Sequence, residues 1–251
     1  MNPFAAHGIE HLSPSSCNLF VGSPAAFVLQ KCLKHPNKVG AAAHRGTSTE
    51  TGIAHGLLNP AAPVAECISI AMEQFSQLTA LSGDPRLEKE RDAVPDMVKI
   101  GLAELRPYGI PTSTQGKIEY VVEGLAVPLI GFYDFEWEDK GILTDLKTTH
   151  ALPSSIKINH ARQVALYRAA RGDNLSSMVT YVTPKKVASY KLENAREHVQ
   201  ALGKIALQVQ NFLSLSEDPM KLASYVVPDI DGSFYFNDPL TRQAAYDIWG
   251  V

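Results

Sequence analysis

Cysteine is scarce in this chain. Cys17, Cys32 and Cys67 are widely spaced and form no C-x-x-C pair, which argues against a zinc site or an iron–sulfur cluster and suits a reducing compartment. No apolar run approaches the roughly 20 residues that a membrane span requires. The opening MNPFAAHGIEHLSPSS has neither the basic region nor the apolar stretch of a secretory signal, so a cytoplasmic protein without membrane attachment is expected. Net charge is only −3, and bulk charge therefore points to no polyanionic partner. Internal repeats and low-complexity segments are also lacking. What is present is ordinary globular composition: 251 residues, 45% hydrophobic and 20% charged, enough for one large domain with its own core.

Charge is spread unevenly. Between Lys140 and Lys191 nine Lys and Arg residues face two acids, Asp145 and Asp173, whereas from Glu193 onward eight acids face four bases. A basic segment around a small acidic cluster is what a phosphodiester site requires, although most charge runs are solvated faces.

The stretch Gly131–Thr149, GFYDFEWEDKGILTDLKTT, reads as two strands about a turn. Val127–Phe135 and Ile142–Thr148 carry the β-branched, aromatic and aliphatic residues, and Asp139-Lys140-Gly141 carries the turn chemistry. If Asp139-Lys140 is a two-residue loop, Asp134 stands opposite Asp145, and Asp145 and Lys147 share a face while Leu146 turns into the core. A three-residue loop ending in a left-handed Gly141 slips the register by one and sends Asp134 to the other face. The first arrangement suits a divalent cation. The second leaves a solvated hairpin.

Upstream, residues 11–33 show helical periodicity that Pro24 divides into two short helices. In HRGTSTETGIAHGLL (44–58), Gly46-Thr47-Ser48 can open a helix with Glu50 in its first turn, where an acid is favoured merely by the helix dipole. Val64–Leu81 and Leu87–Leu105 read as amphipathic helices, the second interrupted at Pro95. Lys117–Leu125 alternates as a first strand. After Pro153, Ser154-Ser155 can cap a helix to about Ala170, on which His160, Gln163 and Tyr167 share one face. Ser177–Thr183 and Val187–Leu192 form a strand pair, Asn194–Leu215 a long helix, and Ser233–Phe236 a short strand. The expected class is α/β with a helical N-terminal portion.

The ordered motifs resemble the PD-(D/E)xK nuclease superfamily, and within it the RecB-like and phage-exonuclease branch. Gly131-Phe132-Tyr133-Asp134, Asp145-Leu146-Lys147, and Gln163 to Tyr167 match its G-x-x-D, D-x-K and Q-x-x-x-Y motifs. LSPSSCNLFVGSPAAF (12–27) is similar to the opening helix of the branch, and Arg45-Gly46-Thr47 with Glu50 is similar to its R-G-T motif. The resemblance spans roughly 12–192. It departs from the branch at Ser23, where the family has cysteine, and no helicase motif accompanies it.

The resemblance implies a restriction-endonuclease-like core, a mixed central β-sheet flanked by helices, in a single domain over 1–251. Its helical N-terminal portion would cover about 1–112, the catalytic core about 113–215 and a C-terminal tail 216–251. It implies a metal-dependent deoxyribonuclease, expected to act as an exonuclease from DNA ends in recombination, repair or DNA degradation. An endonuclease of the same fold and a nuclease-like DNA-binding protein without turnover are the alternatives. Mg²⁺ or Mn²⁺ would be held by Glu50, Asp134, Asp145 and the backbone oxygen of Leu146, with no iron–sulfur cluster. Lys147 would orient or deprotonate water, or stabilise developing charge. Gln163 and Tyr167 would hold DNA or buttress the site, and His160 and His55 would contact phosphate or support the ligands. Arg45 is either an ion-pair partner or a phosphate contact. DNA is the implied partner, with a single-strand-binding or annealing protein by analogy, in the host cytoplasm for a phage-encoded protein.

Overall fold

The computed structural model describes residues 2–35, 38–172 and 174–250. Asp173, counted above with the basic segment, lies outside the described residues. The chain divides into two compact units, one of Met1–Lys38, Ile118–Gly131 and Arg196–Val251 and the other of Val39–Lys117 and Phe132–Ala195.

The second unit carries α3 (Ala41–Leu58), α4 (Val64–Thr79), α5 (Leu87–Leu105), α6 (Ile158–Arg171) and a five-stranded sheet in the order β1-β2-β3-β4-β5. The strands are β1 (Ser113–Tyr120), β2 (Leu129–Trp137), β3 (Ile142–Thr148), β4 (Ser176–Val182) and β5 (Val187–Lys191). Residues 118–120 of β1 and 129–131 of β2 are assigned to the first unit. β2 and β3 run antiparallel, β3 and β4 parallel, and β4 and β5 antiparallel. A parallel pair needs a long crossover, and α6 supplies it. The expected mixed sheet flanked by helices is therefore what the chain forms.

The start of α3 differs from the sequence expectation. The helix opens at Ala41, and Glu50 lies in its middle, not in its first turn. Ala41–Ala43 are strong helix formers. The free N–H of Ala41 is taken by Asp84 Oδ2 at 2.9 Å, a cap supplied from the α4–α5 connection. Further along α3, a Cβ on Gly52 would stand 2.6 Å from the Cys67 carbonyl, and one on Gly56 would stand 2.7 Å from Leu102 Cδ2. The two glycines let α3 lie close on α4 and α5.

Pro95 does not interrupt α5, which runs unbroken through it. Val94, Met97 and Val98 on either side are fully buried, and their packing offsets the lost backbone bond. These residues share a core with Ile53, Leu57, Leu102, Phe135, Trp137 and Leu146. Trp137 anchors it, with no exposed surface and its Nε1 donating to the Gly109 carbonyl at 2.9 Å. Truncating such a residue costs about 3–5 kcal/mol. At α6 the expected Ser154-Ser155 cap is replaced by Lys157, whose N–H donates to Tyr181 Oη at 3.1 Å.

The first unit is built from α1 (Pro14–Gly22), α2 (Pro24–Phe27), α7 (Ala195–Leu213), α8 (Pro219–Ala223) and α9 (Pro239–Trp249). Ser23 has φ −162 and separates α1 from α2, while its hydroxyl accepts the Ala26 N–H. The Phe20 ring lies 5.4 Å from Phe27 and 5.5 Å from Phe212. Leu12 bridges Leu129 in parallel, and Gln210 holds the 118–131 segment through Ala126 N–H and the Gly124 carbonyl. The strand expected at Ser233–Phe236 is instead a 3-10 turn, Phe234–Phe236, leading into α9. That helix carries a readable start, Asp238 accepting the Thr241 N–H with Pro239 at its first position. No helix among the described residues is long and apolar enough to cross a membrane.

Candidate active site

The hairpin joins β2 to β3 in the register Phe135↔Thr144, Glu136↔Leu143 and Trp137↔Ile142. That register sets Asp134 against Asp145. The loop, however, is neither of the two foreseen, because residues 138–141 make a short 3-10 turn closed by Gly141 at φ +59. A four-residue connection thus combines the unslipped register with a left-handed glycine. Beyond Phe135↔Thr144 regular pairing stops. There the Leu146 N–H donates to Asp134 Oδ2 at 2.6 Å, a side chain replacing the backbone acceptor that would continue the ladder. The strands part where the acids lie.

Alternation does the rest of the positioning. Phe135, Trp137 and Leu146 enter the core made with α3–α5. Asp134, Glu136, Asp145 and Lys147 occupy the opposite face, where α6 meets them through Gln163 and Arg171. Asp134 is 7% and Asp145 1% exposed. Glu50, half-buried on α3, shares a donor with Asp134: Gln115 Nε2 bonds Glu50 Oε1 and, at 3.1 Å, Asp134 Oδ1. Lys147 Nζ lies 2.5 Å from Asp145 Oδ2.

The electrostatics follow from this crowding. Burial pushes the Asp134 carboxyl well above its ordinary range, and the charges of Asp145 and Glu50 push it further. Burial raises Asp145 too, against the opposing pull of Lys147. Glu50 is raised by burial and by Asp145, in part offset by its bond from Gln115. For Lys147 burial works against the charge, but Asp145, Asp134 and Glu50 outweigh it and hold the ammonium more firmly than usual. Three carboxylates with one lysine would carry an excess of negative charge in low dielectric if all were ionised, and the upward shifts are the response to that excess.

That excess, borne by oxygens alone, fits a hard divalent cation. Among the described residues no three His, Cys, Asp or Glu side chains close around a common point as they stand. The Lys147 ammonium and the Gln115 amide, both donors, contact the carboxylates instead, while Asp145 Oδ2, ion-paired with Lys147, makes no hydrogen bond among the described residues. The donor chemistry fits a cation, and protein groups hold its oxygens.

Gln163 and Tyr167 converge on Asp145. Gln163 Nε2 donates to Asp145 Oδ1 at 3.0 Å and to Tyr167 Oη at 2.6 Å, while Tyr167 Oη donates to the Phe132 carbonyl at 2.6 Å. The Tyr167 ring has no exposed surface, so of the two roles considered for the pair, holding DNA or buttressing the site, its enclosed hydroxyl suits the second. His160 Nδ1 lies 2.7 Å from Tyr181 Oη. Burial, then the charges of Lys147 and Lys157, push its pKa down to about 4, so it is neutral near pH 7 and adds no cation for DNA.

Arg45 is not brought to the acids. It is 5% exposed and pairs with Glu90 on α5. Its Nη2 also donates to the Thr148 carbonyl at 3.2 Å, and His150 Nε2 stands 2.9 Å from the same Glu90 oxygen. Of the two roles considered for it, ion-pair partner or phosphate contact, the enclosed guanidinium takes up the first. His55 pairs with Glu66 at 2.8 Å. Within the basic segment, Arg171 is spent on Glu136 and Lys140 on its neighbour Asp139.

Sequence reasoning missed Gln115, Glu90 and Glu136. A glutamine beside Gly116 just ahead of the alternating strand was the available sign for Gln115. Glu90 and Glu136 had none, because each is defined by a partner distant in sequence.

No curated protein matches the chain. Among solved structures, the crystal structure of SSO0001 is similar at 17% identity over 74% of this chain and 84% of its own, with a TM-score of 0.36. The family model of the PD-(D/E)xK nuclease superfamily matches residues 11–233, and the chain belongs to that superfamily.

Proposed function

We propose that this protein is a Mg²⁺- or Mn²⁺-dependent deoxyribonuclease that hydrolyses phosphodiester bonds from DNA ends, leaving 5′-phosphates. The observation that carries the reading is the cluster of Glu50 and Asp134, joined by Gln115, with Asp145 and the Lys147 ammonium, all three acids having raised proton affinity. The three carboxylates and the Leu146 carbonyl would hold the cation. In an extended strand the N–H and C=O of one residue leave on the same side, and the Leu146 N–H already faces Asp134. The cation, when bound, supplies charge neutralisation at the scissile phosphate and activation of water. Lys147 orients the attacking water and donates to the charge that builds on the phosphate oxygens. Gln163 and Tyr167 fix the rotamer of Asp145, and His160, neutral beside Lys147, preserves the local charge balance.

The choice of an exonuclease of the RecB-like and phage branch is supported by the ordered motifs across 12–192. The single nuclease domain over 1–251 and a cytoplasmic setting, with a single-strand-binding or annealing partner, belong to the same reading.

One gel tests it. End-labelled linear duplex, single strand and covalently closed circle are each incubated with Mg²⁺, Mn²⁺ or EDTA, beside Lys147→Ala. Degradation of linear DNA alone, abolished by EDTA and by the substitution, is expected. Cutting of the circle moves the assignment to an endonuclease. If the folded protein cuts no substrate with either cation, the enzyme reading is lost and a DNA-binding role remains.

A further inference from the structure

Gln115 touches the acid cluster yet has no part in the roles above. Its Nε2 carries two hydrogens, and one goes to Glu50 on α3, the other to Asp134 on β2. A donor set between two acids from different elements does what a cation would do there.

The backbone is committed to this placement. Gln115 has φ +52 within β1, a left-handed conformation that a residue with a Cβ keeps only where its surroundings over-determine it. They do so on both sides. Ser113 Oγ lies 2.7 Å from Tyr133 Oη, which donates to Glu136 Oε2 at 2.6 Å. Gly116 passes so close beneath the Tyr133 ring that a Cβ on it would stand 2.0 Å from Cζ. The neighbours of Gln115 are pinned, whereas Gln115 itself is largely exposed. Its amide is therefore aimed at the acids, with room on its exposed side for a turn about its last bond once those bonds are given up.

A half-turn of that amide exchanges an N–H donor for a carbonyl-type oxygen, a ligand that hard divalent cations accept. We infer that Gln115 is a positioning residue for the divalent cation, resting on the metal-dependent reading above. Its N–H groups hold Glu50 and Asp134 together in the cation-free protein, and its oxygen faces the cation when one binds. A merely structural amide would use only the first of these two faces.

Calorimetric Mn²⁺ binding without DNA, together with thermal melting in EDTA, separates the two roles in wild type, Gln115→Met, Gln115→Glu and Asp145→Asn. Mn²⁺ affinity is expected to fall about tenfold or more in Gln115→Met and to return in Gln115→Glu, which keeps an oxygen. In EDTA, Gln115→Glu is expected to melt lowest, because a fourth carboxylate replaces a donor. Unchanged Mn²⁺ affinity in Gln115→Met, or an equal loss in both variants, overturns the inference. Asp145→Asn tells the levels apart. If it loses binding while Gln115→Met does not, only the role of Gln115 falls. If wild type binds no Mn²⁺, or Asp145→Asn binds as well as wild type, the metal-dependent reading falls and the inference with it.

Discussion

Two clusters of buried charge are anchored on α3 only five residues apart, and they are built to opposite rules. Around Arg45 the charges balance: one guanidinium meets the Glu90 carboxylate, and His150 and Thr148 take up the remaining polar atoms. Around Glu50 they do not balance. Two further carboxylates, Asp134 and Asp145, share one lysine, and all three acids have their proton affinity raised. A balanced buried pair leaves no net charge in the interior, whereas an unbalanced cluster stores repulsion that a bound cation would relieve. The difference between structural and chemical use of the same residue types lies in that balance more than in burial, since Arg45, Glu90, Asp134 and Asp145 are all buried.

The sharpest way to break the comparison is to remove one cation from each cluster. Lys147→Ala should reduce cleavage by roughly 10²–10³-fold or more while circular dichroism still shows the folded protein. Gel assays of the purified variant check this, and retained cleavage would deny Lys147 its role. Arg45→Met should do the reverse, costing about 3–5 kcal/mol by leaving Glu90 uncompensated, seen in urea unfolding. Arg45→Met with Glu90→Leu should recover most of that loss, because neither charge is then left alone.

Removing an acid sharpens the contrast further. Asp134→Asn is expected to stabilise the cation-free protein by about 0.5–2 kcal/mol, as relief of active-site strain commonly does, and to abolish the rise in melting temperature that Mn²⁺ gives wild type. Glu90→Gln, in the balanced cluster, should destabilise instead. A fall in stability in both variants would erase the distinction between the clusters.

The smallest effect concerns His160, beside the unbalanced cluster. Its pKa is held near 4 in the folded protein against 6.5 for the free side chain, by burial first and then by Lys147 and Lys157. Between those values the unfolded chain binds more protons, so stability present above pH 6.5 should be lost as pH falls toward 4, at a slope of at most about 1.4 kcal/mol per pH unit. The acids with raised pKa act in the opposite sense, so the test is the difference between wild type and His160→Gln in urea unfolding at several pH values. Parallel curves would mean that His160 carries no such penalty.

Much of the site was legible along the chain because its signals are local. The spacing of Asp134, Asp145 and Lys147 and the alternation of β3 are properties of neighbouring residues. So is the shared face of Gln163 and Tyr167, and β3 lies at Ile142–Thr148 as its composition predicts. The hairpin sequence left two registers open, and the four-residue loop takes the one that opposes Asp134 to Asp145.

Sequence by itself determined the family motifs, the order of helices and strands as far as α7, and which residue types were available for chemistry. Tertiary structure alone decided that Glu50 sits in mid-helix, because the start of α3 is capped by Asp84, 43 residues away. It also decided that Arg45 is spent on Glu90, that Tyr167 is sealed from solvent, and that Gln115 bridges two of the acids. Each of these outcomes depends on a partner far along the chain. Periodicity and local propensity report which face a residue presents, but not what another element brings against it.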